Sequence, residues 1–132
     1  MSQDSTIQSL REDLKTILDS SMYNFAQLQM QNVTIPPKPG LYAIYDKTAN
    51  LLLYVGESCS LRRRLSNDHL KGDRIGSSFR RNLSYWKNFD NEGDISAYIV
   101  ANCKFQFRQC ELITAKRLEH FAIAVLEPLL NR

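Results

Sequence analysis

The chain predicts an α+β fold, a small three-stranded antiparallel sheet flanked by helices, with an extra N-terminal helical segment. Three observations carry this. Two short apolar and aromatic runs, residues 41–45 and 51–55, flank Asp46-Lys47-Thr48-Ala49-Asn50, the pattern of a hairpin. Elsewhere apolar residues recur at helical spacing. Strands are few and helices surround them, in the order α-β-β-α-α-β-α.

Residues 5 to about 30 read as helix. Ser5 and Gln8 fit a capping box, and Ile7, Leu10, Leu14, Leu18, Phe25 and Leu28 keep one face apolar. Asp19-Ser20-Ser21 offers a break, and Pro36-Pro37-Lys38-Pro39 ends the segment in extended chain. The chain divides into a helical extension, residues 1–35, and a main domain, residues 36–132. The apolar face of the extension needs a cover: the domain itself first, a second copy as runner-up.

In the hairpin, pairing Tyr45 with Leu51 sets Tyr42 opposite Tyr54 and Gly40 opposite Gly56. Two phenols then stand side by side, and the glycines leave backbone bare for a ligand or another chain. Ser60 caps a helix to about residue 70. Leu61 and Leu65 face the core, Arg64 sits at the edge of that stripe, and Arg62 and Arg63 point outward. Residues 71–76 form a glycine-containing loop. Ser77 caps the next helix, through Phe79, Leu83 and Trp86, with Trp86 packing on the other two. Residues 88–94 read as loop, residues 95–103 as strand with Ala97, Ile99 and Ala101 on one side, and residues 108–126 as the last helix, stopped by Pro128.

No apolar run approaches membrane-spanning length and no secretory leader is evident, which points to a soluble cytoplasmic protein. Cys59, Cys103 and Cys110 are odd in number and form no CxxC pair, which argues against a disulfide framework or a zinc site. The net charge of +3 is unevenly placed. Residues 1–35 hold two basic and four acidic side chains, whereas residues 61–87 hold eight basic against Asp68 and Asp73. That basic stretch suits phosphate or, equally on charge alone, a solvated surface with ion pairs.

Glu119 is the sharpest single residue. It lies on the inward stripe of the last helix with Leu112, Ala115, Leu118, Ala122, Ile123 and Leu126. A carboxylate there needs a salt bridge, with Arg64 a candidate, or a divalent metal. Arg64 offers a fork of donors to phosphate oxygens or pairs with Asp68 one turn on. Tyr42 and Tyr54 are otherwise core aromatics. His69 is a candidate proton shuttle, His120 a surface residue, and Tyr85 and Trp86 could stack on bases.

Gly40-Leu41-Tyr42 and Tyr54-Val55-Gly56 resemble the two signature tripeptides of the GIY-YIG nuclease superfamily. Arg64, eight after Gly56, and the ending Leu118-Glu119, Ile123, Leu126, Pro128 and Asn131 extend the resemblance over residues 40–131. It implies a divalent-metal-dependent endonuclease that hydrolyses phosphodiester bonds in DNA, with Mg²⁺ or Mn²⁺ on Glu119. It also implies that Tyr42 activates water, that Tyr54 or His69 assists, and that Arg64 stabilises the attacked phosphate. Gly40, Gly56, Arg62, Arg63, Arg74, Arg80, Arg81, Lys87 and Asn131 are the expected nucleic-acid contacts, Asn131 bracing the site. Three departures stand out. His69 follows Arg64 by five residues where relatives often use four, Glu57 adds negative charge after Gly56, and no lysine lies between Gly56 and Arg64. The alternatives are a non-catalytic nucleic-acid-binding module of the same fold and a protein-interaction module acting through the N-terminal helix, including as a homodimer.

Overall fold

A computed structural model describes residues 2–131. Its centre is an antiparallel sheet in the order β1-β4-β2-β3, where β1 is Tyr23–Asn24, β2 Gly40–Asp46, β3 Leu51–Ser58 and β4 Cys103–Gln109. The sheet has four strands rather than three, because the extension contributes the two-residue β1, which pairs with β4 at Phe105 and Lys104. Helices α1 (Gln3–Leu18), α2 (Phe25–Gln29), α3 (Ser78–Lys87), α4 (Glu92–Asn102) and α5 (Leu112–Leu126) flank it, with a π-helix at Arg63–Leu70. No helix among the described residues is long and apolar enough to cross a membrane.

The alternation of β2 divides the core between two faces. Leu41 and Ala43 pack with Leu14, Ile17, Val55, Leu118 and Ala122, which places α1 and α5 on one side. Tyr42 and Ile44 pack on the other with Phe25, Leu28, Leu65, Phe79, Ile99 and Phe105. The extension therefore straddles the sheet. The helix expected over residues 5 to about 30 is instead two, α1 and α2, which bury their apolar stripes on opposite faces, with β1 passing round the edge between them. Gln106, fully buried, fixes that crossing by donating from Nε2 to the carbonyls of Leu18 and Ser20. Ser2, not Ser5, caps α1.

The hairpin register differs from the expected one by two residues. Asp46 pairs with Leu51, which leaves a four-residue loop, and Asn50 closes it at φ 51°. Asp46 Oδ1 accepts from the N–H groups of Thr48 and Ala49, ordering the loop from its first corner. A bulge then falls between Ile44 and Tyr45, where Leu53 is the extra residue on β3. These two steps set Tyr42 opposite Gly56, Ile44 opposite Tyr54 and Gly40 opposite Ser58.

The strand expected at residues 95–103 is the helix α4, and the strand follows it. Asn91 caps α4 by accepting from the Asp94 N–H, Glu92 and Asp94 complement its N-terminal dipole, and Ile95 and Ile99, four apart, are its buried pair. The true alternation is Cys103, Phe105 and Phe107, which shifts the start of the last helix from residue 108 to Leu112. At the far margin of the sheet the C-terminal tail bonds to β3. The N–H groups of Leu129 and Leu130 donate to Leu52 and Leu53, and the Asn131 amide both donates to and accepts from the Val55 backbone.

Candidate active site

The site forms where β2 and β3 face the π-helix. Tyr42, fully buried on the central strand, projects over Gly56 of its neighbour, and a Cβ at Gly56 would overlap the Tyr42 hydroxyl and ring. The approach that glycine permits is thus made by the chain's own tyrosine. Gly40 is bare for a similar reason: a Cβ there would meet the Arg108 carbonyl and the Leu61 side chain. Neither buried glycine offers the nucleic-acid contact expected of it.

Tyr54 reaches the same face because the bulge turns both Leu53 and Tyr54 toward it. The Tyr42 and Tyr54 rings lie stacked at 6.3 Å although their backbones are not directly opposed. The Tyr54 hydroxyl bonds to Ser78 Oγ at 2.6 Å.

The five-residue interval from Arg64 to His69 is resolved by the helix between them. In a π-helix the backbone bonds from i to i+5, so residues five apart share a face. The Lys71 N–H bonds to the Ser66 carbonyl in this pattern. His69 is fully buried, with Nε2 2.6 Å from the Tyr42 hydroxyl and Nδ1 2.7 Å from Ser77 Oγ. Burial, then the positive charges of Arg64 and Arg80, push the His69 pKa from 6.5 down to about 3. The imidazole is therefore neutral at physiological pH. Burial, with the nearby Tyr54, Glu119 and Glu57, raises the Tyr42 pKa well above its ordinary value, and Arg64 opposes this. The pair Tyr42–His69 rests as phenol and neutral imidazole.

Glu119 enters from α5, half-buried. Its Oε2 accepts the N–H of Glu57, the residue after Gly56, at 2.9 Å. Burial raises its pKa, helped by the Glu57 charge and opposed by the Glu57 N–H, His120 and Lys116. Arg64 pairs instead with Asp68, Nε to Oδ2 3.1 Å, with about a third of each side chain exposed. The Glu119 carboxylate thus has a hydrogen bond but no ion pair among the described residues. Glu57 turns to Lys116 at 3.4 Å.

Ser77 and Ser78 were not legible as site residues. Sequence marks Ser77 as a helix cap, and so it is, accepting the Arg80 N–H. The same oxygen holds His69, a contact that only the tertiary fold creates.

The expected basic face divides in two. Arg80 is fully buried. It donates to the Glu92 carboxylate and carbonyl, to the carbonyls of His69 and Leu70, and to Ser96 Oγ, so it cannot touch a nucleic acid and instead holds the end of the π-helix. Arg74 pairs with the same Glu92 at 2.7 Å, and Arg81 donates to the Arg74 carbonyl. Lys87 lies 4.2 Å from the centre of the Trp86 ring. Trp86 and Tyr85 are exposed, so the expected core packing of Trp86 does not occur. Asn131 braces Val55 through its backbone, which uses its amide in the fold rather than on a nucleic acid. Arg62 and Arg63 point outward as expected.

A family model described as the GIY-YIG catalytic domain matches residues 38–121. No curated protein matches the chain. Among solved structures the chain is similar to the GIY-YIG N-terminal endonuclease domain of UvrC from Thermotoga maritima bound to its catalytic divalent cation, magnesium. The TM-score is 0.48 at 17% identity, over 80% of this chain and 97% of that one. A point mutant of the same UvrC domain, bound to its catalytic divalent cation, gives a TM-score of 0.46 at 17% identity over 80% and 96%. The family model covers more than half of this chain, and the protein belongs to the GIY-YIG family as a GIY-YIG-type endonuclease.

Proposed function

We propose that the protein is a divalent-metal-dependent endonuclease acting on DNA, with residues 36–132 as the nuclease domain and residues 1–35 as its helical extension. The observation that carries the reading is the meeting of Tyr42, His69 and Glu119 around Gly56 and Glu57. Glu119 fits a hard cation. It offers carboxylate oxygen, it lacks a cationic partner, and burial disfavours its charge until one arrives. Among the described residues no three acidic, His or Cys side chains gather. That suits Mg²⁺ or Mn²⁺ held by one carboxylate with waters and substrate phosphate. When bound, such a cation supplies positive charge to the phosphate oxygens.

The chain's own groups supply the rest. In the tautomer this reading requires, His69 gives its Nδ1–H to Ser77 Oγ, 2.7 Å away, and its Nε2 accepts the hydrogen bond of the Tyr42 hydroxyl at 2.6 Å. The Tyr42 hydroxyl oxygen can then accept a hydrogen bond from the attacking water and orient it, and His69, too weak a base to keep the Tyr42 proton, assists by holding that hydroxyl in place, with both groups neutral at rest. Tyr54, fixed by Ser78, buttresses the Tyr42 ring. Arg64 turns from Asp68 to the phosphate. The pair it leaves is worth about 0.3–0.5 kcal/mol, a small obstacle. The three free thiols agree with a reducing, cytoplasmic setting.

The test is incubation with Mg²⁺ or Mn²⁺ and a panel of supercoiled, branched and single-stranded DNA and RNA, beside Glu119→Ala. Cleavage that needs the cation and is lost in the variant is expected. Binding without cleavage by either protein would refute the catalytic reading in favour of a binding module.

A further inference from the structure

Within the basic stretch, Arg62, Arg63 and Lys71 gather at one groove. All three are exposed, and none forms an ion pair among the described residues. They border a groove of about 450 Å³. One wall is the outer face of the π-helix, where Arg62, Asn67 and Lys71 follow at intervals of five and four, about one per π turn. The other wall is the chain after α2, with Val33, Thr34 and Ile35. No carboxylate lines it.

The groove is held open by its backbone. Arg62 Nε donates to the Ile35 carbonyl at 2.8 Å, and the N–H groups of Arg62 and Leu61 donate to the carbonyls of Pro36 and Lys38. Arg63 immediately precedes Arg64, so the groove and the candidate site draw on the same helix. The family model begins at residue 38, so the wall at residues 33–35 is built from sequence outside it.

We propose that this groove holds the sugar-phosphate backbone of the substrate beyond the scissile phosphate, with Arg62, Arg63 and Lys71 each taking a phosphate and the N-terminal extension closing the far side. Three unpaired cations with amide and hydroxyl donors between them, and no carboxylate, match a run of phosphodiesters. Arg74 and Arg80 share Glu92 and add no free charge to this surface. The inference rests on the nuclease reading and assigns the polynucleotide contact to a surface that residues 1–35 help to form.

The experiment measures binding of the Glu119→Gln chain, residues 1–132, to a labelled duplex and a labelled single strand across a salt series. Replacing Arg62, Arg63 and Lys71 together with Gln is expected to flatten the slope of log K against log salt by about 2–3, close to one for each phosphate lost. Lys47→Gln with Lys104→Gln, at the hairpin-loop end of the sheet, should leave the slope unchanged. Thr34→Glu, an exposed change in the extension wall, should weaken binding several-fold with the same melting temperature. Salt-dependent binding that neither the triple change nor Thr34→Glu alters would overturn the groove and leave the nuclease standing. Absence of salt-dependent binding in the parent, with no cleavage by the native chain, would overturn both.

Discussion

Acidification should reveal His69. In the folded protein its pKa lies near 3, whereas the unfolded chain titrates near 6.5. The folded value is depressed, so between these limits the unfolded state binds the proton and the native state does not. Stability is therefore full above pH 6.5 and falls as the pH drops, by about 1.4 kcal/mol per unit. Between pH 7.5 and 5.0 the loss from this one residue is about 2 kcal/mol. Carboxylates contribute a background, which His69→Gln separates out, since the amide can still donate and accept between Tyr42 and Ser77. Urea denaturation of both proteins across that range measures the difference. The native chain should lose about 2 kcal/mol more than the variant. Equal slopes would refute the reasoning, because they would mean that His69 protonates in place and does not rest as the neutral partner of Tyr42.

Glu119→Gln should abolish cleavage and, in chelator at pH 7.5, raise the melting temperature, because the raised pKa means that the folded state resists its charge. The gain should grow as the pH rises from 4.5 and vanish below it. Gly56→Ala forces a methyl against the Tyr42 hydroxyl, and overpacking of this kind costs about 1–3 kcal/mol. Urea melts should show that loss, and cleavage should fall further than binding. Arg80→Met takes the buried guanidinium from the carbonyls of His69 and Leu70 and leaves Glu92 with Arg74 alone, a loss of about 1–3 kcal/mol by urea denaturation. The salt dependence of its nucleic-acid binding should match that of the native chain.

The residues of the candidate site were legible in the sequence as residue types, in two signature tripeptides, an arginine and a carboxylate on an apolar helix face. Tyr42, Tyr54, Arg64 and Glu119 could be picked out before any fold was known. Their mutual placement was not. The hairpin register depends on a bulge at Leu53, which a regular alternation hides, and on Asn50 closing a shorter loop than the turn residues suggest. The His69 interval made sense only once the helix proved to be wound as π, a choice set by tertiary bonds such as Arg80 to the His69 and Leu70 carbonyls. Charge misled for the same reason. Arg80 and Arg62 look alike as letters, and only Glu92, arriving from α4, separates a buried structural arginine from a free one. The helix α4 was mistaken for strand because Ala97, Ile99 and Ala101 alternate. Ile95 and Ile99, with the Asn91 cap, were the better signal.

The two margins of the sheet carry a further consequence. A strand at the rim of a sheet is an invitation to pair with another chain. Here β1 occupies one rim, and the tail from Leu129 to Asn131 bonds along the other, on β3. A second copy therefore finds no open ladder to extend at Leu52, Leu53 or Val55. Strand addition is blocked at those positions, on the very strand that carries Tyr54 and Gly56. Leu129, Leu130 and Asn131 thus shield that stretch of edge from strand pairing as well as bracing it.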